Sequence, residues 1–248
     1  MSVCAVIPAR NEGRTIADVV NQTLLTVDRV IVVDDGSDDD TVARLDGLAV
    51  DILRRPAAGG KAAALADGFA LALKGECSAV VTLDGDGQHD PADVPRLLEA
   101  ARAYPDHLVL GARIRQRHHQ PAIRHFANRF ADFFVSWASG QRVPDSQTGF
   151  RVYPRRLLDA VRPSTEKRHG FVYETAMLID GARAGFPCVA VAIDSVYRAE
   201  ARPSYFRPGR DVWEIFLFVF WRIVRRALYL PGLWRMLRTP TRFSQGNG

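Results

Sequence analysis

No run of this 248-residue chain reaches about 18 uninterrupted apolar residues, so no membrane-crossing helix is predicted. The amino terminus enters a strand-like segment, Val3–Ile7, without a basic head or long apolar core, so no secretory leader is expected. Cysteine is scarce. Cys4, Cys77 and Cys188 are odd in number, isolated, and lie in or beside apolar runs. They are expected to be buried free thiols in a reducing compartment. No spacing of Cys and His suits zinc, and no aromatics interleave with the basic residues as a nucleic-acid platform requires. Nucleic acid is therefore not an expected partner. The first strand–helix turn lacks G-x-G-x-x-G, which argues against a dinucleotide cofactor. Repeats, low-complexity stretches and domain-splitting linkers are also missing.

What remains is an ordinary globular composition, 47% hydrophobic and 25% charged, long enough to bury a sizeable core in one α/β domain. The net charge of +5, with a pI near 9.4, points to an anionic partner: nucleotide phosphates, lipid phosphates or an anionic membrane face. Short β-branched runs alternate with helical patterns over the first half. Strands are predicted at Val3–Ile7, Arg29–Val33, Asp51–Leu53, Ala79–Leu83 and His107–Leu110. Helices are predicted at Thr15–Leu25, from Asp40-Thr41, at Gly60–Ala72 and at Pro91–Ala103. That alternation implies a mostly parallel central sheet with helices on both faces. Then come a basic loop (Arg113–Pro121), an aromatic-rich helix (Ala122–Ser139) and a mixed segment (Asp145–Tyr153). A helix (Tyr173–Ala184), a strand (Cys188–Ile193) and a last helix (Asp211–Leu230) complete the pattern.

The densest chemistry is Asp84-Gly85-Asp86-Gly87-Gln88, directly after the apolar run Ala79–Leu83. It sets two carboxylates and an amide oxygen at alternate positions on a strand's carboxyl end, the edge where open α/β sheets bind ligands. Mg²⁺ and Mn²⁺ take carboxylate oxygens and share themselves with substrate phosphates. A metal–diphosphate site is the expectation. Acids at neighbouring strand tips converge there too. Asp34 and Asp35 suit a ribose hydroxyl or a base N–H, with helix capping the alternative for Asp34, while Asp38 and Asp40 read as helix caps. Gly59-Gly60-Lys61 opens a helix and suits an anion. Arg113, Arg115, Arg117, Arg124 and Arg129, with His118 and His119, make a cationic segment whose guanidinium forks match phosphate. Asp145 is the best candidate general base, its structural alternative being a pair with Arg151 or a turn cap; Glu174 is the second candidate.

Six motifs occur in order over residues 3–155: VIPARNE, VVDDGSDDDT, GGKAAALADGFALA, LDGDGQHDP, GAR and DSQTGFRVY. Together they resemble the family 2 glycosyltransferases of the GT-A fold, and are most similar to the dolichyl- and polyprenyl-phosphate hexose synthases. The resemblance implies a nucleotide-diphospho-sugar transferase fold and inverting transfer of a hexose from a UDP- or GDP-sugar with Mg²⁺ or Mn²⁺. It places Pro8, Arg10 and Glu12 in the first nucleotide-contacting turn, although the family usually has Tyr where Arg10 stands. Asp35 matches the acid on the nucleoside, and Asp84, Asp86 and Gln88 match the metal set. The family often has Ala and Leu where this chain has Gly85 and Gly87. Arg113 and Arg124 match phosphate-binding arginines, and Asp145 falls close to the reacting sugar. The donor site is then Pro8, Arg10, Glu12, Asp35, Lys61, Asp84, Gly85 and Asp86. The catalytic set is Asp86, Asp145, Arg113 and Arg124.

A lipid phosphate is already anionic and needs no base, whereas a hydroxyl acceptor must lose a proton, for which Asp145 is the candidate. Polyprenyl phosphate is the preferred acceptor. A hydroxyl acceptor in cell-envelope or secondary-metabolite glycosylation is the alternative. It is favoured by Arg202-Pro203-Ser204-Tyr205, which lacks a lysine that the polyprenyl-phosphate enzymes carry there. A catalytically silent sugar-nucleotide-binding regulator is disfavoured by the intact Asp84, Asp86 and Gln88. The last helix carries Trp213, Ile215–Leu217, Val219–Trp221, Ile223, Val224 and Ala227–Leu230, with Asp211, Glu214, Arg222, Arg225 and Arg226 on a narrower face broken by Phe218. Trp234, Arg235 and Arg238 continue the theme, which favours peripheral contact with the cytoplasmic face of a membrane over packing on protein. The expected organisation is a transferase domain at 1–210, an amphipathic helical extension at 211–238 and a disordered tail at 239–248. A homo-oligomer is compatible with the sequence.

Overall fold

The computed structural model describes residues 1–114, 122–163, 170–194 and 208–244, with side chains from 128, 172 and 213 onward in the helices that open the last three segments. The first half contains β1 (Val3–Ala9), α1 (Ile16–Leu24), β2 (Arg29–Asp34), β3 (Asp51–Arg54), α2 (Lys61–Leu73), β4 (Ala79–Thr82), α3 (Val94–Ala103) and β5 (Leu108–Ala112). There follow α4 (Ala122–Ser139), β6 (Arg151–Pro154), α5 (Arg155–Ala160), α6 (Gly170–Arg183), β7 (Cys188–Ala192), α7 (Pro208–Val224) and α8 (Leu230–Arg238).

Among the described residues the strands form one sheet in the order β3-β2-β1-β4-β6-β5-β7. β6 runs antiparallel to β4 and β5, and the other pairs are parallel. Alternate residues of each strand serve opposite faces. Cys4, Val6, Ile31 and Val33 pack with α2, α4, α6 and α7, whereas Ala5, Ile7, Val30 and Val32 pack with α1 and α3. Burial on both faces is why these strands read as continuous apolar runs. Gly68 lets α2 lie close on β1, since a Cβ there would fall 2.4 Å from Val6 Cγ1.

This topology collects the motifs. Parallel β1, β2, β4 and β5 all deliver the loops that follow them to one edge. Because β6 is antiparallel, its first residue, Arg151, stands at that same edge, opposite Thr82 and Leu110. The preceding loop, Asp145–Phe150, therefore arrives beside the tip of β4.

Four expectations are corrected. Cys4 and Cys77 are joined as a disulfide with Cα atoms 5.8 Å apart, because the parallel β1–β4 pairing sets the starts of both strands side by side. Only Cys188 is a free buried thiol, and burial pushes its pKa up to about 12. The helix expected from Asp40-Thr41 is a single 3₁₀ turn, Ala43–Leu45, ended before Gly47, whose φ is 80°. The last helix is two helices. Ala227, Leu228 and Tyr229 have φ of 48°, 62° and 38°, and Pro231 opens α8, which then folds back along α4. Part of the tail expected to be disordered from Thr239 is held on the sheet: Ala190 N–H donates to Arg242 O and Ser244 N–H to Ala190 O, so residues 242–244 extend β7's edge.

Candidate active site

The β1 and β2 tips are bound into one surface by backbone donors and short polar side chains. Asn11 N–H donates to Ser37 Oγ at 2.9 Å, Glu12 N–H to Thr41 Oγ1 at 2.7 Å, and Asp38 N–H to Asn11 Oδ1 at 2.9 Å. Thr15 Oγ1 donates to Gly85 O at 2.6 Å, tying the β1 turn to the β4 tip. Pro8 is in β1 opposite Val33, Glu12 packs over Gly85, and Arg10 is exposed on the turn. Asp35 ties the β2 tip to the start of α2. Its carboxylate takes Arg55 Nη1 at 2.6 Å and the Gly59 and Gly60 amides at 2.8 Å each, so it shapes the entry to α2.

Asp84 is the centre of the cluster. Lys61, the first residue of α2, places Nζ 2.6 Å from Asp84 Oδ1 and 3.4 Å from Glu174 Oε1 on α6. Burial alone would lower the Lys61 pKa, but the charges of Asp84 and Glu174 outweigh it and raise it. Burial would likewise raise Asp84, yet Lys61, His89 and Arg113 hold it below the usual carboxylate range. Burial wins at Glu174, whose pKa is raised in spite of Lys61 and Arg151. Asp86 adds its charge to the Lys61 environment, and its Oδ1 accepts from Gln88 N–H at 3.0 Å. Gly149 leaves room for the pair: a Cβ there would lie 2.9 Å from both Asp84 Oδ2 and Lys61 Nζ. Gly149→Ala is thus expected to keep the fold but to weaken nucleotide-sugar binding about tenfold, measured by titration calorimetry, the size typical of disturbing a ligand's supporting shell. Unchanged affinity would contradict this geometry.

Asp145 is buried and forked by Arg113. The Arg113 Nε and Nη2 donate to Asp145 Oδ2 and Oδ1 at 2.8 and 3.0 Å, and the Arg113 amide adds a third bond at 3.1 Å. Its partner is thus Arg113, not Arg151. Arg151 is fully buried and holds the loop from inside, donating to the carbonyls of Thr148 (2.7 Å), Glu174 (2.8 Å) and Ser146 (2.9 Å). The Arg124 side chain and residues 115–120, including Arg115, Arg117, His118 and His119, lie outside the described residues; Arg129 is exposed on α4. Residues 202–205 lie outside them as well.

Sequence reasoning missed His89, Arg55, Gly149 and the structural use of Arg151. His89 follows Gln88 directly, and that adjacency was the available signal. Its Nδ1 accepts from Asp84 N–H at 3.2 Å and its ring leans on Phe150. Burial pushes its pKa down to about 4, with Arg113 and Lys61 adding to the shift against the pull of Asp84. The unfolded imidazole protonates near 6.5, so the unfolded state binds the extra proton between that pH and about 4. His89 therefore contributes stability fully present above about 6.5 and lost as pH falls toward about 4. In EDTA, the urea midpoint should fall over that window, and His89→Asn should flatten the decline. Equal slopes for both proteins would contradict a neutral buried imidazole.

Among the described residues, no three His, Cys, Asp or Glu side chains form a metal cage on their own. The donors still fit a hard divalent cation. Such ions use one or two carboxylates plus substrate phosphates, and an ammonium already stands on Asp84 as a resident cation.

The architecture is shared with solved sugar-nucleotide enzymes. Glucosyl-3-phosphoglycerate synthase of Mycobacterium tuberculosis, in complex with Mn²⁺, UDP and phosphoglyceric acid, superposes with a TM-score of 0.68 at 23% identity, covering 89% of this chain and 78% of that one. The same enzyme with Mg²⁺ and UDP gives 0.67 at 24% identity, covering 89% and 79%. The fold is α/β of the GT-A glycosyltransferase class. Residues 4–162 match the family model described as glycosyl transferase family 2, and the chain belongs to that family; it is a glycosyltransferase. Polyprenol monophosphomannose synthase of Mycolicibacterium smegmatis is 30% identical over 199 residues, covering 76% of this chain and 75% of that protein. Undecaprenyl-phosphate mannosyltransferase of Micrococcus luteus is 30% identical over 213 residues, covering 80% and 85%.

Proposed function

We propose that this glycosyltransferase moves a hexose, with inversion, from a UDP- or GDP-sugar to a polyprenyl phosphate, using Mg²⁺ or Mn²⁺ at Asp84, Asp86 and Gln88. The observation that carries this reading is the meeting of Lys61, Asp84, Asp86, Arg113 and Asp145 in one electrostatic cluster at the sheet's carboxyl edge. An oxygen of the acceptor phosphate attacks the anomeric carbon while the bond from that carbon to the donor's β-phosphate oxygen breaks. The nucleoside diphosphate leaves with the electron pair. A bound cation supplies neutralisation of that departing charge. The Pro8–Glu12 turn faces the nucleotide, and Lys61 at the start of α2 faces its phosphates. Gly85 is proposed beside the donor, its missing Cβ leaving room for Ile16 and Glu12. Asp35 is proposed at the nucleoside edge, where it fixes the α2 entry loop.

The state of Asp145 favours the phosphate acceptor. Both of its carboxylate oxygens are engaged by Arg113, which suits a residue that positions an arginine near phosphate better than one that takes a proton. Arg124 is proposed to join Arg113 there.

The surface supports a membrane-bound acceptor. No described helix is long and apolar enough to cross a membrane. α7 buries Ile215, Val219 and Ile223 against the domain, yet Trp213, Leu217, Phe220 and Trp221 remain exposed on its other side. Phe130 and Phe133 of α4 and Leu230, Trp234 and Leu237 of α8 extend this exposed apolar surface. Arg238 stacks on Trp234 and Arg226 on Tyr229, an aromatic–basic pairing suited to an anionic interface. We assign this surface to peripheral contact at the cytoplasmic face. Incubation with labelled UDP- and GDP-hexoses, Mn²⁺ and undecaprenyl phosphate in anionic vesicles should give label extractable into organic solvent, abolished by EDTA. Exclusively water-soluble glycosylated product would favour a hydroxyl acceptor instead.

A further inference from the structure

The Lys61 ammonium lies between two carboxylates that differ in how well they are satisfied. Asp84 takes it at 2.6 Å; Glu174 has it only as an ion pair at 3.4 Å. The Glu174 side chain is 2% exposed, and beyond the long Lys61 contact no described donor meets its carboxyl oxygens. A buried acceptor left in that condition is costly, and folded interiors keep few of them. Loose packing is not the reason. The backbone carbonyl of the same residue is held by Arg151, itself bonded to two further carbonyls. The missing Cβ of Gly149 keeps clear the space around Lys61 Nζ and Asp84. One cation has two seats here, and it fully occupies one.

We propose that Glu174 is the second seat: when a divalent cation engages Asp84 and Asp86, the Lys61 ammonium leaves Asp84 and closes onto Glu174. Glu174 is then a positioning residue for metal loading, acting through Lys61. The inference rests on the cation–diphosphate reading of the β4 tip. Without a second seat, the arriving ion would meet an ammonium held against the same carboxylate, and the two cations would repel at close range. With it, the positive charge shifts rather than leaves, and Lys61 stays at the start of α2 where a diphosphate would lie. No proton or covalent bond changes hands.

Mn²⁺ titration followed by the electron paramagnetic resonance of free Mn²⁺, with and without UDP or GDP, tests this. It needs the wild type, Glu174→Gln, Lys61→Met and the double variant, with Lys61→Gln replacing Lys61→Met if circular dichroism shows the latter unfolded. Glu174→Gln is expected to weaken Mn²⁺ about tenfold in the wild-type background, as removal of a metal site's supporting partner does. In the Lys61→Met background it is expected to change affinity by less than about twofold, because the residue through which it acts is gone. Equal weakening in both backgrounds would mean a plain field effect and overturn the proposal, as would no weakening in either. Asp86→Ala, run in parallel, separates the two levels. If Mn²⁺ binding survives that change, the underlying reading of the β4 tip fails; if it is lost while Glu174→Gln acts equally in both backgrounds, only the second seat fails.

Discussion

Asp86→Ala should lower turnover at least about 10³-fold while leaving the protein folded, because it removes a proposed ligand of the cation that would neutralise the departing diphosphate. The structure makes Asp86 a cleaner probe than Asp84. Removing the Asp84 carboxylate would also take away the 2.6 Å partner of Lys61. Asp86 lies in the loop after β4, partly buried, and its Oδ1 accepts from Gln88 N–H two residues on. Its loss should therefore cost little in melting temperature. Single-turnover transfer of labelled hexose across a Mn²⁺ series separates lost metal binding from a slower chemical step. Turnover within about threefold of wild type would remove Asp86 from the departing-charge site, since groups acting on that charge are worth far more.

Arg151→Met should destabilise the fold by about 3–5 kcal/mol, because it strands three buried carbonyls that one planar fork satisfies together. Arg151 is among the largest fully buried side chains, at 0% exposure. Its bonds connect the Ser146–Thr148 loop to α6, so they set where both Asp145 and Glu174 stand. Arg151→Lys is expected to restore only part of the loss, because an ammonium cannot reproduce the fork. Urea unfolding checks the magnitude, and a change below about 1 kcal/mol would show that water or rearranged backbone replaces the fork without cost.

How much of this was legible in the chain depends on the range of the interaction. Strand positions were readable because burial on both faces makes β1, β2 and β4 continuous β-branched runs. The acid-tipped carboxyl edge was readable because Asp84 and Asp86 follow such a run immediately. Helix α2 was readable to within a residue from its alanine-rich composition. Pairings distant in sequence were not. Nothing local says that β6 inserts antiparallel between β4 and β5, so the approach of the Asp145–Phe150 loop to Asp84 could only be inferred from resemblance. The Arg113–Asp145 fork and the Cys4–Cys77 bridge span 32 and 73 residues and were missed for the same reason. At the carboxy-terminal end, amphipathic periodicity ran through Arg225–Tyr229 without interruption, and only the backbone shows the left-handed turn that splits α7 from α8. Asp35 reads from the sequence as an acid for the nucleoside, and its visible partners are Arg55 and two glycine amides.

Everything proposed for catalysis depends on a divalent ion seated at the tip of β4 against a nucleoside diphosphate. Crystals grown with Mn²⁺ and UDP or GDP, measured at the manganese absorption edge, would locate that ion directly. A cation seated at the β4 tip would give an anomalous peak about 2.1 Å from a carboxylate oxygen of Asp84 or Asp86 and within bonding reach of a phosphate oxygen. A diphosphate bound at the sheet edge with manganese elsewhere, or with Lys61 alone neutralising it, would contradict the account.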